Sequence, residues 1–435
     1  MKKILTVIIG LLFLVALFGC TGNVNADDPV LETPPPDDFV IDEPSSDGDP
    51  TSDGPPHATS PIDPNTIPTI DPNIPLPSEN ITAWELIANI RLGWNLGNTF
   101  DAHDFSWLGA HPSVSAMETA WQPNRTSKAN MDALKAAGFN AIRIPVTWIK
   151  ATDDDYIIRE DWMARIKEVV DFAMGSEMIV ILNSHHDESY FSMLDEDLER
   201  TKEYFTKIWE QIAEEFKDYS EMLVFEGFNE PRTRGSSAEW NGGTAKEHNN
   251  LNILNQNFVD IIRQSGGNNG NRILVIPTYA ASATTTAQKG LVLPIDTIED
   301  KLIVSIHSYA PWEFALRTGH DRPLEWSKDN ANDTRPITEP IDMAFDLFVS
   351  NGIPVIMGET GTINRNNLPS RVEWAEFYIM YAKSKGIPCF WWDNGASHLT
   401  KQQSWGWEET FGIFNRATNE LDHPEIMDAL LIGMR

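Results

Sequence analysis

Cysteine is nearly absent, with two in 435 residues, too few for a disulfide framework or a Cys-based zinc site. Basic residues are scarce as well: 33 Lys and Arg face 64 Asp and Glu, for a formal charge of −31. Clustered cations are what bind phosphate backbones, so no nucleic-acid partner is expected. The same deficit disfavours docking of the folded surface on anionic lipid. Long hydrophobic runs are missing too. The longest, Ile4 to Phe18, is broken by Thr6 and Gly10 and falls short of a membrane span. Tyr is outnumbered by Trp, 8 to 15; surplus indole either fills a core or offers flat faces for stacking, as on sugar rings. What remains is ample, since 41% apolar residues suffice for a large core.

The N-terminus reads as an export address. Lys2 and Lys3 precede the short apolar run, and Leu17-Phe18-Gly19-Cys20 matches a lipobox in which Cys20 is acylated and becomes the mature N-terminus. Val24-Asn25-Ala26 offers an alternative cleavage site for ordinary secretion. Either route puts the protein outside the cytoplasm, with any membrane attachment through Cys20 alone. Residues 1–20 are therefore expected to be the signal, and 21–80 a disordered tether. The tether holds 14 of the 28 prolines and 13 acids, with neither Lys nor Arg. Proline removes amide donors and restricts its predecessor, and too few apolar groups are present to offset ordering entropy.

From residue 81 to 435, short apolar runs alternate with helical patterns, as in a parallel α/β fold. Strands are expected at Ile90–Asn95, Asn140–Pro145, Met178–Asn183, Leu223–Phe228, Arg272–Pro277, Leu302–His307, Pro354–Gly358 and Ile387–Trp392. Helices are expected between them, for example over Ser127–Ala137, Asp161–Met174, Asp197–Phe216 and Ser370–Lys385. The helix pattern is weakest around Tyr279–Ile298. Eight such units match a TIM (β/α)8 barrel, whose chemistry lies at the C-terminal ends of its strands. Polar residues gather at those ends: Asn95 and Asn98, Arg143, His185 and His186, Asn229 and Glu230, His307 and Tyr309, Glu359, and Trp391 with Trp392. Parallel strands covered on both faces normally avoid such residues, so packing does not account for the ring.

Glu230 and Glu359 end the fourth and seventh strands and can project into the mouth from opposite walls. Two carboxylates across a cleft are what glycoside hydrolysis needs, one protonating the leaving oxygen while the other attacks or positions water. The acid must hold its proton near neutral pH, which burial or nearby negative charge can arrange. The competing reading is an ion pair with Arg143 or a simple helix cap, and two glutamates in one polar ring favour catalysis.

Asn229-Glu230-Pro231, Gly358-Glu359 and Trp391-Trp392-Asp393 together resemble glycoside hydrolase family 5, the cellulase-type retaining glycosidases of clan A. Gly93-Trp94-Asn95-Leu96-Gly97-Asn98, Arg143 to Trp148, Asn183 to His186 and His307 to Trp312 extend the resemblance over the whole chain after the tether. It is closest in wording to the endoglucanase and xyloglucanase branch. The resemblance implies Glu230 as acid/base and Glu359 as nucleophile. It implies Asn229 on the sugar 2-hydroxyl, Arg143 and Tyr309 holding Glu359, and His307 orienting Glu230. His185 would bind hydroxyls near the cleavage point, Trp392 would stack under the cleaved sugar, and Asn98 and Asp101 would contact sugars farther along. Thr360 departs from the family pattern, where an aromatic often follows the nucleophile.

His185 and His186 with Asp187, Glu188 and His307 read alternatively as a metal cluster, but neighbours along a strand point to opposite sides unless the chain has already turned, and no His-x-x-x-His spacing is present. No metal and no cofactor are expected, with His186 assigned to substrate. Trp94, Trp148, Trp209, Trp374 and Trp391 read as core. Trp107, Trp121, Trp240, Trp312 and Trp405 lie near loops, with Trp312 the favoured cleft residue, and Cys389 reads as a buried thiol. The expectation is a monomeric, exported endo-β-1,4-glucanase acting on β-glucan with retention. Xyloglucan, lichenan or mannan are alternative substrates for the same chemistry, and a non-catalytic glycan-binding barrel is the rival from another class.

Overall fold

The computed structural model describes residues 80–187, 190–318, 322–397 and 409–435. The expected signal, Cys20 and the tether up to residue 79 lie outside the described residues, as does Trp405.

Eight parallel strands close in sequence order into a barrel: β1 (Gly93–Leu96), β2 (Ala141–Ile144), β3 (Ile179–Asn183), β4 (Leu223–Glu226), β5 (Leu274–Ser282), β6 (Leu302–His307), β7 (Val355–Thr360) and β8 (Cys389–Asp393). Each expected strand is present with its ends moved by a few residues. The helices over Lys128–Ala137, Glu160–Gly175, Leu198–Glu215 and Leu368–Ser384 are those the periodicity predicts. The uncertain unit proves to be a long β5 running to Ser282, then only six helical residues, Thr285–Gly290.

Two-residue alternation along the strands sorts side chains into two cores. Facing the helices are Trp94, Ile142, Ile144, Val180, Leu182, Phe225, Ile276, Val304, Ile306, Met357 and Trp391. Facing inward are Ala141, Ile179, Ile181, Val224, Ile273, Val275, Ile303, Ile356 and Phe390. The short helix Ala83–Asn89 supplies Leu86 and Ile87 to this inner cluster. Thr82 caps that helix by accepting from the Glu85 amide at 3.1 Å, while Glu85 Oε2 accepts from the Thr82 amide at 2.8 Å, the reciprocal box that satisfies two end donors.

Continuing inward-facing positions toward the strands' C-terminal ends gives Asn95, Arg143, Asn183, Glu226, Ser305 and His307, all buried. The interior thus changes from aliphatic to polar along the barrel axis. Register shifts interrupt β5–β6 between Pro277 and Ser282, β6–β7 at His307, and β7–β8 between Met357 and Thr360. Irregularities of this kind re-aim side chains at barrel rims, and here they flank His307 and Glu359.

Candidate active site

Arg143, at the end of β2, is fully buried and organises the polar ring. Its Nε donates to Glu226 Oε2 at 2.6 Å, Nη1 to Glu359 Oε1 at 2.7 Å and to Asn95 Oδ1 at 3.0 Å, and Nη2 to Asn229 Oδ1 at 2.7 Å. Burial alone would ease a proton off the guanidinium, but the two carboxylates reverse that and hold it charged more firmly than usual. Planar, forked donors suit a site that must fix several oxygens at once. The competing reading of Glu359 as an ion-pair partner of Arg143 is thus correct as geometry, and the pair leaves Glu359 at the rim rather than removing it. Removing the cation would strand two buried carboxylates. We expect Arg143→Met to lower unfolding free energy by about 3–5 kcal/mol, measured by denaturant titration; a loss below about 1 kcal/mol would contradict this accounting.

Glu359 has a second anchor. Tyr309 donates its hydroxyl to Glu359 Oε2 at 2.8 Å. Burial, then the Glu359 charge, push the Tyr309 phenol well above its ordinary range, so it stays a donor at any working pH. Thr360, where the sequence departs from the family pattern, is buried and donates to the Ser308 carbonyl at 2.9 Å. It fastens the end of β7 to the neighbouring loop.

Glu230 lies just past β4, and His307 Nδ1 stands 3.0 Å from its Oε1. His307 Nδ1 is also 3.8 Å from Glu359 Oε2. One carboxylate oxygen of Glu230, one of Glu359 and a nitrogen of His307 all lie within 4.8 Å of one another. That closeness fits the retaining arrangement, about 5–5.5 Å between carboxyl groups, and not the wider inverting one. Glu230 keeps 18% of its side chain accessible against 7% for Glu359, so water reaches the first more readily.

One expectation about Glu230 reverses. Burial does push its carboxyl toward protonation, but the hydrogen bond and charge of His307, then Arg232 and His186, outweigh it and hold the group below its ordinary value. These neighbours decide here, where burial or a nearby negative charge was expected to do so.

The other predicted residues divide. Trp392 lies nearly parallel to the His185 ring, centroids 5.8 Å apart, and is packed behind by Ile363 and Phe411. Gly97 makes room for it, since a Cβ there would come within 2.7 Å of the indole. His185 is held neutral, its pKa lowered well below the usual value first by burial and then by its cationic neighbours. Asn98 adopts a left-handed φ of 55°. Its amide and that of Thr99 donate to the two oxygens of Asp101, at 2.9 and 2.6 Å. Asp101 is completely buried and braces the loop that presents Asn98. Burial raises its pKa against the pull of His186 and those amides. Trp312 is 55% exposed at the mouth-side loop after β6, and Trp107 and Trp240 are also exposed. The five tryptophans read as core are buried, and burial pushes the Cys389 thiol upward.

His185 and His186 are not held to opposite sides by strand alternation. β3 ends at Asn183, so both lie where the chain has already turned, with ring centroids 4.4 Å apart. Ligand atoms of Asp101, His185 and His186 fall within 4.8 Å of one another, a cluster that the absent His-x-x-x-His spacing concealed. Sequence reasoning also missed Glu226, which lies inside the stretch read as a strand. A carboxylate in an otherwise apolar parallel strand was the available signal. Arg232 and Glu239, beside Glu230, carried none.

The family model for cellulase (glycosyl hydrolase family 5) matches residues 101–398. The chain belongs to glycoside hydrolase family 5. Endoglucanase B of Neocallimastix patriciarum is 41% identical over 358 residues, spanning 82% of this chain and 72% of that one. Among solved structures, a broad-specificity endoglucanase from Ruminococcus champanellensis with bound cellotriose aligns at TM-score 0.76 and 41% identity, covering 81% of this chain and 99% of that chain. A family 5 lichenase variant from Caldicellulosiruptor sp. F32 in complex with cellotetraose aligns at TM-score 0.76 and 37% identity, covering 85% and 100%. This family 5 barrel carries the expected acidic pair at the C-terminal ends of β4 and β7.

Proposed function

We propose that this family 5 enzyme is an endo-β-1,4-glucanase that cleaves β-glucan chains with retention through a covalent glycosyl-enzyme. The observation that carries the reading is the close approach of Glu230, Glu359 and His307, with Arg143 and Tyr309 both on Glu359. Three neighbours therefore assign two unequal roles. The carboxylate fixed by a buried guanidinium and a phenol stays anionic and aimed, as a nucleophile requires. The carboxylate facing a histidine can exchange a proton.

Glu359 attacks the anomeric carbon as the bond to the leaving oxygen breaks and the Glu230 proton passes to that oxygen. Water then gives a proton to Glu230 and attacks the same carbon, freeing Glu359. Glu230 Oε1 and His307 Nδ1 are 3.0 Å apart, close enough to share one proton in a hydrogen bond. The single proton of the pair is available to the leaving oxygen when it lies on Glu230, and the low carboxyl value of the unliganded cleft favours the base needed in the second step. Asn229 accepts from Arg143 through Oδ1, which leaves its amide nitrogen as the donor for a sugar 2-hydroxyl. His185 and His186 line the glycone side, with Trp392 as the stacking floor and Trp312 at the rim.

The test is reducing-end release by residues 81–435 on barley β-glucan, carboxymethyl cellulose, xyloglucan, glucomannan and xylan, with the anomer of the first product followed by NMR. Strong release from the β-glucans with the β-anomer formed first is expected. Dominant cleavage of xyloglucan or glucomannan would keep the chemistry and change the substrate. Binding with no release from any polymer would leave the non-catalytic glycan-binding barrel.

Export and lipid anchoring at Cys20 are part of the same proposal, supported by Lys2, Lys3 and the lipobox pattern. Fatty-acid labelling of the full chain in a bacterial host, lost in Cys20→Ala, is expected. Labelling that persists in the variant would leave ordinary secretion at Val24-Asn25-Ala26.

A further inference from the structure

Arg232 lies two residues beyond Glu230 and contacts Glu230, Glu239 and Trp240. Nη1 donates to the Glu230 backbone carbonyl at 2.9 Å and stands 3.7 Å from Glu230 Oε2. Nε donates to Glu239 Oε1 at 3.1 Å. The guanidinium carbon lies 4.4 Å from the ring centre of Trp240, a stacking that fixes the fork in orientation. Glu239 is itself tied down, its Oε2 accepting from the Gly235 amide at 2.6 Å. Only 9% of the Arg232 side chain is accessible. A guanidinium this enclosed, stacked and paired is costly to assemble, and its Nη1 stands against both the backbone and the carboxyl of Glu230.

We propose that Arg232 is a positioning residue for the acid/base Glu230, pinning its backbone and presenting to its outer oxygen a positive charge that Glu239 tempers. The proposal rests on the assignment of Glu230 as acid/base. Chemically it supplies what a residue used alternately as acid and base needs, a fixed location and a proton affinity that is not too high for the second step. His307 Nδ1 lies against Oε1 and Arg232 faces Oε2, so an imidazole and a guanidinium approach the carboxyl from its two oxygens. Among the described residues, the other ionisable groups near Glu230 include Glu359, His186 and Tyr309. Arg232 and Glu239 are the pair that can be altered without touching any of these.

The experiment is the pH dependence of kcat/KM on barley β-glucan for the wild type, Arg232→Gln, Arg232→Lys and Glu239→Gln, with thermal melts alongside. The alkaline limb reports loss of the Glu230 proton that the leaving oxygen needs. Removing the Arg232 charge favours the protonated carboxyl, so in Arg232→Gln that limb moves up by about half a unit to one unit. In Arg232→Lys the charge remains and the stacked fork is lost, so kcat falls about tenfold while the limb stays within about 0.2 units. In Glu239→Gln the cation is no longer tempered and the limb moves down, by about half a unit. Opposite displacements in the two Gln variants cannot arise from loosened packing, and Glu239→Gln keeps the test alive should Arg232→Gln fold poorly. An unmoved limb in both Gln variants, or a shift of the same sign in both, would overturn the proposal. A wild-type chain inactive on every glucan would instead overturn the catalytic reading, and the Arg232 assignment with it.

Discussion

Glu359→Ala should lower turnover of barley β-glucan by roughly 10⁴-fold or more while the barrel stays folded. The size follows from what is lost: without the carboxylate no covalent intermediate forms, and Glu230 alone has nothing to push against the anomeric carbon. The fold should survive because Arg143 keeps Glu226, Asn229 and Asn95 as partners. Tyr309 loses its acceptor, at a rim position where water can replace it. A melting midpoint within a few degrees of wild type is therefore part of the expectation. A small anion offers the positive test. Azide entering the space left by the side chain should restore cleavage of an aryl cellobioside and yield the α-glycosyl azide, since it attacks from the face Glu359 used. Residual glucanase activity above about 1% of wild type, or a β-azide product, would remove Glu359 from the nucleophile's place.

Why the two glutamates were legible in the sequence, and other parts of the site were not, has a physical explanation. In a parallel barrel every second strand residue points inward, so the change from Ile179 and Ile181 to Asn183, or from Ala141 to Arg143, is written directly into the strand text. Strand ends locate the chemistry because loops there face the mouth. Glu226 escaped notice because it stands inside a strand, and its function depends on Arg143 being within 2.6 Å, a distance no strand pattern contains. His185 and His186 were separated by a rule valid only while the strand continues, and β3 stops before them. The direction of the Glu230 shift was misread for a related reason. Burial can be guessed from sequence, but the arrival of His307 from β6 is tertiary, and the stack on Trp240 that turns nearby Arg232 toward Glu230 is not written in the local pattern. Asp101 shows the limit in the other direction: the residue was noticed, but not the backbone amides of Asn98 and Thr99 that it accepts from and so braces.

Glu230→Gln should separate the two halves of the reaction. Glutamine keeps the shape of the side chain and its contact with His307, yet it cannot donate a proton to a leaving oxygen or take one from water. On glucan, whose leaving group is a poor alkoxide, turnover should fall about 10²–10⁴-fold. On 2,4-dinitrophenyl cellobioside the departing phenolate needs no proton, so Glu359 should still be glycosylated at close to the wild-type rate. Water then lacks its general base and the glycosyl-enzyme should accumulate. A burst of one phenolate per enzyme is expected, followed by slow release, and the mass of the trapped species should exceed the free chain by one cellobiosyl group. Azide, which needs no base, should speed release and give the β-glycosyl azide, the opposite anomer to that expected from Glu359→Ala. These two variants thus test the same pair from opposite faces of the sugar. Equal losses on glucan and on the dinitrophenyl substrate, with no burst, would mean that Glu230 only shapes the cleft, and the proton would have to be sought on His307.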